Sequence, residues 1–281
     1  MVTADLFLII LGLIYLIYAS VSDIKKREVP NWLSFSLIGF ALAYRAFFSI
    51  LNSDLMFFVY GVIGLIIFVG LGYGFYYARI FAGGDAKLLF GLGIVFSFSS
   101  SLTGNLIIFL LFAVLLLFFG GLWGIVFSLF IVYGNKRKFS QEFSHQVKIN
   151  KKLVYYSLII GIFSLILLFL DSIFVFISIL IFIFPFLYTY AKSVEESCMI
   201  VFVSTNELIE GDWLYSQVKV GKRIIKPYWE GLSSEELAIL RKKKEKVRVK
   251  QGIPFVPAFL FAFLALIYLL YFKPDIFSLF F

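Results

Sequence analysis

The chain has 281 residues, of which 62% are hydrophobic and 15% are charged, and its formal net charge at pH 7 is +8. This apolar fraction is well above that of soluble domains, and it predicts a polytopic α-helical membrane protein. In such a protein a positive net charge reflects the bias of Lys and Arg toward the cytoplasmic face, so we expect the lipid bilayer and no nucleic acid as a partner.

Apolar runs long enough to suggest membrane helices follow one another along the chain. They lie at 6–22, 32–51, 55–78, 86–98, 106–132, 153–170, 173–190 and 254–272. The stretch from 153 to 190 is too long for one crossing, and Asp171 interrupts it, so we interpret it as a hairpin of two helices. The sequence therefore predicts about eight transmembrane helices.

The charges suggest an orientation for these helices. The basic cluster Lys25, Lys26 and Arg27 follows the first apolar run, which indicates a retained anchor with its N-terminus outside. Eight crossings then place 23 of the 25 Lys and Arg residues inside, in the segments 23–31, 79–87, 134–152 and 191–253. We expect a multi-pass protein of the cell membrane with both termini outside.

Three parts are expected along the chain: a transmembrane helical domain at 1–190, a cytoplasmic insert at 191–253, and a final helix with a short external tail at 254–281. The insert contains "MIVFVS" and "WLYSQVKV", which are typical of short strands, and "SSEELAILRKKK", which begins with a capping box. The sequence therefore predicts a small α+β insert before the last helix.

Two carboxylates lie at the predicted inner face, on different helices. Asp85, in "GGDAKLLF", has a plain structural explanation, because an N-cap aspartate accepts backbone N–H bonds at the start of a helix. Asp23 ends the first helix, where the helix dipole disfavours an anion, and this explanation does not apply to it. If the two face each other, they share one proton, so that one activates water while the other polarises a peptide carbonyl.

These segments resemble a known family. "SDIKKREVPNWLS" after the first helix and "AGGDAKLLFGLG" at the fourth are similar to the two signature segments of archaeal type IV prepilin peptidases, including preflagellin peptidases, which are GxGD membrane aspartyl proteases. "EGLSSEEL" in the insert and "QGIPFVPAF" before the last helix also resemble this family. Ala82 stands where the GxGD pattern has its first glycine, and shorter members of the family have six helices.

The resemblance implies an aspartic endopeptidase that removes the short basic leader of prepilin or preflagellin-like precursors at the cytoplasmic face. Asp23 and Asp85 would be catalytic, and we expect Gly83, Gly84 and Lys87 to contact the substrate. We expect no cofactor and no metal, since bacterial relatives with a zinc segment use four cysteines and this chain has one, Cys198.

An acidic group in the insert could attract a basic leader, although an ordinary solvated face explains it better. It comprises Glu195, Glu196, Glu207, Glu210 and Asp212.

Two other functions compete with a peptidase. A transporter or ion channel could use the interfacial carboxylates, but transporters commonly carry charges near the bilayer midplane. Here Arg45 is the exception to an uncharged interior, and we expect it to extend outward to the membrane surface. A scaffold without chemistry is the third possibility, and it gives Asp23 no role.

Overall fold

The computed structural model describes residues 2–169, 171–221, 223–242 and 245–272. Most of these residues are helical. The helices are α1 (Val2–Lys26), α2 (Asn31–Asn52), α3 (Leu55–Tyr77), α4 (Gly83–Val95), α5 (Leu102–Gly134), α6 (Lys136–Ile149), α7 (Lys151–Ile166), α8 (Ile173–Cys198), α9 (Ser234–Arg241) and α10 (Val256–Phe272). The strands are β1 (Ile200–Ser204), β2 (Trp213–Leu214), β3 (Val218–Val220), β4 (Arg223–Ile225) and β5 (Lys246–Lys250).

Within the described residues, five helices are long and apolar enough to cross a membrane, namely α1, α2, α3, α5 and α8. The consecutive helices α6 and α7, bent by 62°, give a sixth if they count as one broken span. A polytopic helical membrane protein is therefore confirmed. The 13 residues of α4 rise about 20 Å, which is less than the roughly 30 Å of a hydrocarbon core, so length alone does not make it a crossing. Eight crossings remain a prediction.

The chain divides into two compact units. The first contains residues up to Val126 together with the described residues from Ile253 onward, and its centre is α4. Nine of the 13 residues of α4 are buried, which fits a helix that is apolar on all sides. It packs against α2 and α3, while α1 packs against α2, α4 and α10. Glycine allows the close approach of α3 and α4, because a Cβ on Gly93 would lie 2.7 Å from the Cβ of Phe68.

Arg45 lies inside this unit, and the expectation that it extends to the membrane surface is wrong. Its side chain is fully buried. The guanidinium donates hydrogen bonds to the carbonyl oxygens of Ile94 (2.9 Å), Phe57 (2.8 Å) and Ser97 (2.8 Å). Its centre also lies 4.4 Å from the Phe57 ring. The carbonyl oxygens at the carboxyl end of a helix have no N–H partners within the helix, so those at the end of α4 can accept hydrogen bonds from a buried cation. Arg45 would lose these acceptors if its side chain extended to the membrane surface.

The second unit spans residues 127–252. The basic segment 134–152 contains the helix α6, and none of the residues of α6 is buried. Phe139 of this helix contacts Tyr190 of α8 with ring centroids 5.6 Å apart. The helix pair expected around Asp171 is present, since α7 and α8 pack together and the Asp171 carboxylate accepts a hydrogen bond from the Ile173 N–H (2.8 Å).

The same unit contains a small antiparallel sheet in the order β1-β5-β2 and the hairpin β3-β4. In the sheet Val201 pairs with Val249 and Val203 with Val247. The predicted capping box is observed, because the Ser233 hydroxyl accepts from the Glu236 N–H and the Glu236 carboxylate accepts from the Ser233 N–H. The core of this part is formed by Leu208, Leu214, Ile225, Leu232, Leu237, Leu240, Val247 and Val249.

Candidate active site

Asp23 lies in the last turn of α1 with 6% of its surface exposed. Its Oδ2 accepts a hydrogen bond from the backbone N–H of Val256 (2.9 Å), the first residue of α10. The sequence indicated correctly that Asp23 ends a helix, where the dipole disfavours an anion. The amino end of a second helix compensates, because its free N–H groups and positive dipole favour a carboxylate.

Asp85 is the third residue of α4 rather than its N-cap. The N-cap is Ala82, whose side chain cannot accept a hydrogen bond, and the Asp85 carboxylate reaches back to accept from the Ala82 N–H (3.2 Å). Ala82 has φ −73° and ψ 164°, an extended conformation open to any residue. The backbone at this position therefore does not require the glycine that stands first in the GxGD pattern.

The two carboxyl groups interact electrostatically with each other. Both are largely buried, and the helices that carry them pack together. Removal from water disfavours two negative charges side by side, so the arrangement suits a pair that holds a single proton. Such a pair can accept a proton from water and donate a hydrogen bond to a carbonyl at the same time.

Gly83 and Gly84 form the first turn of α4. Neither has a positive φ, so both fit the helical turn without needing the conformational freedom of glycine. A Cβ on Gly84 would lie 3.3 Å from the Cβ of Val29, whereas a Cβ on Gly83 would have Tyr76 as its nearest neighbour, at 3.9 Å. Gly84 thus allows the start of α4 to approach the linker that follows Asp23, while Gly83 has room around it.

Lys87 and two members of the acidic group, Glu195 and Glu196, have partners within the protein. Lys87 Nζ donates a hydrogen bond to Asn31 Oδ1 (2.8 Å), which joins α4 to the start of α2. In the acidic group, the Glu195 carboxylate lies 2.7 Å from Lys250 Nζ, and Glu196 pairs with Lys192 at 3.1 Å. These two glutamates are already neutralised by lysines.

Among the described residues, no group of three or more His, Cys, Asp or Glu side chains is placed to hold a metal ion. Sequence reasoning missed the role of Val256 beside Asp23. The sequence does contain a signal for this contact, because Val256 lies in the segment "QGIPFVPAF", which resembles the prepilin peptidases. The segment has no titratable group, so the sequence alone did not indicate a role in the site.

Residues 10–133, which contain both aspartates, match the Type IV leader peptidase family. The chain is 34% identical over 84 residues to a preflagellin peptidase of Methanocaldococcus jannaschii, and over 98 residues to prepilin peptidase EppA of Methanothermobacter thermautotrophicus. The first match covers 30% of this chain and 36% of the relative, and the second covers 35% and 26%. A preflagellin peptidase of Methanococcus voltae is 34% identical over 85 residues, which are 30% of this chain and 35% of the relative.

The chain thus spans about a third of the length of the curated relatives it matches. No solved structure gives a significant match. Over the segment with the two aspartates, the resemblance to the prepilin and preflagellin peptidases is confirmed.

Proposed function

We propose that this chain, whose residues 10–133 match the type IV leader peptidase family, is a membrane-embedded aspartyl endopeptidase. Its substrates would be prepilin or preflagellin-like precursors, from which it removes the short basic leader at the cytoplasmic face of the membrane. The observation that carries this proposal is the buried, interacting pair Asp23 and Asp85 at the ends of two packed helices.

The reaction needs one proton in the pair. The ionised carboxylate takes a proton from water as the water oxygen bonds to the scissile carbonyl carbon, while the protonated carboxyl donates a hydrogen bond to the carbonyl oxygen. The resulting tetrahedral intermediate collapses as the C–N bond breaks and the leaving amine takes up a proton from the pair. Water is consumed, and the pair returns to its starting protonation after products leave.

A transporter or channel is less well supported by the buried charges. Arg45, the cation inside the helical unit, is held by three carbonyl oxygens. This set of bonds joins α2 to the first turn of α3 and to the end of α4, and it accounts for the burial of Arg45 structurally. No ion pathway is needed to explain this charge.

Cleavage of a purified prepilin-type substrate in detergent tests the proposal. We expect Asp23→Asn and Asp85→Asn each to abolish cleavage, because an amide cannot exchange the proton that the mechanism moves. Asparagine keeps an oxygen that can accept the Val256 or Ala82 N–H bond, so thermal unfolding should change little.

Asp171→Asn is the matched control, since Asp171 is exposed and lies beside the amino end of α8. It should cleave at the wild-type rate. A variant of Asp23 or Asp85 that kept a tenth or more of wild-type activity would rule out the catalytic pair.

A further inference from the structure

The amino end of α10 lies against Asp23, although it follows in sequence more than 200 residues later. The Val256 N–H donates to Asp23 Oδ2 at 2.9 Å, and the Val256 side chain is fully buried. Because Val256 is the first residue of the helix, its N–H has no acceptor within α10 and is free to bind a carboxylate. The donor of this contact, Val256, lies outside residues 10–133, the part that matches the leader peptidase family.

The backbone just before α10 is itself fixed by α5. The indole Nε1–H of Trp123 donates to the Pro254 carbonyl oxygen at 2.7 Å. One helical turn earlier, the ring of Phe255 lies over Gly120, where an added Cβ would come within 2.8 Å of the ring carbon Cε2. The same ring also contacts aromatic neighbours, with the Phe81 centroid 5.2 Å away and the Phe259 centroid 5.8 Å away.

We propose that the amino end of α10 positions the Asp23 carboxylate for catalysis, and that Trp123 and Gly120 are positioning residues that hold this helix end in place. The inference rests on the proposed peptidase function. A carboxylate in the last turn of α1 has a helix dipole against it, and the N–H of Val256 gives it both a fixed direction and compensation for burial. Displacement of a reacting group by about an ångström can slow a reaction roughly 100-fold, so this placement matters for turnover.

The contact can be tested by removing the N–H alone. Val256→Pro deletes the donor, and proline is well tolerated at the first position of a helix. Val256→Ala is the matched control, because it keeps the N–H and gives up more side-chain volume. We expect Val256→Pro to lower kcat at least tenfold relative to Val256→Ala with KM unchanged. Equal kcat values in the two variants would overturn the proposal, as would a raised KM with normal kcat.

The contacts that α5 makes with the amino end of α10 can be tested with a matched pair of variants. Gly120→Ala places a methyl group against the Phe255 ring, whereas Gly121→Ala, one residue along the same helix, meets nothing within 4 Å. We expect Gly120→Ala and Trp123→Phe, which lacks the indole donor, to lower kcat without raising KM. Gly121→Ala should match the wild type. If Gly120→Ala and Trp123→Phe both keep wild-type kcat, α5 does not position this helix end.

A measurement without substrate separates this inference from the proposed function. Asp23→Ala and Val256→Pro, singly and together, form a double-mutant cycle in the thermal unfolding midpoint. If the hydrogen bond links the two residues, the double variant should lose clearly less than the two single losses combined. Additive losses would overturn the contact even if the wild type cleaves prepilin, and coupling would stand even if it does not.

Discussion

Asp23 lies at the carboxyl end of α1 and at the amino end of α10, and the two helix dipoles act on its carboxylate in opposite directions. The sequence reveals the first of these facts, because the end of an apolar run is a local signal. The second fact depends on a partner 233 residues away, which no local pattern shows. Sequence reasoning therefore found the catalytic candidates but not the group that holds one of them.

Gly84 provides a prediction at the residue scale. Gly84→Ala would place its methyl group 3.3 Å from Val29 Cβ, so the linker behind Asp23 must move by a few tenths of an ångström. We expect a loss of stability of about 1 kcal/mol or more and a reduced kcat, because overpacking is relieved by backbone shifts.

Gly83→Ala is the matched control for this substitution. It meets only Tyr76, at 3.9 Å, and lies in a helical turn, so it should raise stability by about 0.5–1 kcal/mol. Thermal unfolding and kinetics on both proteins check the pair. Full activity and unchanged unfolding in Gly84→Ala would contradict the tight approach of α4 to Val29.

At the scale of elements, α4 is fastened at both ends. Its first turn carries Asp85 and approaches Val29, and the carbonyls near its carboxyl end accept hydrogen bonds from Arg45 of α2. The same guanidinium reaches Phe57 in the first turn of α3, so one side chain joins three helices. The position of Asp85 therefore depends on a buried cation at the far end of its helix.

Arg45→Met should destabilise the helical unit strongly. It leaves the carbonyl oxygens of Ile94, Phe57 and Ser97 without this donor, and each buried acceptor left unsatisfied typically costs about 1–3 kcal/mol. Arg45→Lys should lose less, because an ammonium keeps the charge and reaches fewer of the three acceptors.

Thermal unfolding in detergent measures the effect. Arg137→Met on α6 is the control, because Arg137 is exposed and its removal should shift the midpoint little. A midpoint for Arg45→Met equal to that of the control would show that the three hydrogen bonds contribute no net stability.

The elements themselves were predictable to different degrees. Long apolar runs predicted α2 and α3 to within one residue of their observed bounds, since length and apolarity are sufficient signals for such helices. Helices α1 and α8 extend several residues beyond the predicted runs, because their polar ends lie outside the apolar pattern. The charges of segment 134–152 identified it as polar, but they did not indicate that it forms the helix α6. The environment of Arg45 was inaccessible from sequence, because it depends on which helix ends meet in space.

At the scale of the whole molecule, the charge bias and the helix lengths carry different information. The distribution of Lys and Arg predicts which ends of the helices face the cytoplasm, whereas α4 and α10, with 13 and 17 residues, are shorter than a typical crossing. The external tail expected after the last helix falls largely on residues 273–281, which lie outside the described residues. The orientation is therefore best tested at positions that the structure describes.

Ser100 and Ser140 are exposed and lie on either side of α5, whose 33 residues easily span a bilayer. With the N-terminus outside, Ser100 should face the exterior and Ser140 the cytoplasm. We expect an impermeant thiol reagent to label Ser100→Cys in intact cells, and Ser140→Cys only after the membrane is opened. Both variants are made in a Cys198→Ala background, because Cys198 is the one native thiol.

Labelling of Ser140→Cys alone in intact cells would invert the topology and move both aspartates to the outer face, where a cytoplasmic leader could not reach them. Labelling of both would mean that α5 does not separate the two sides, which contradicts the charge-based orientation at its central helix.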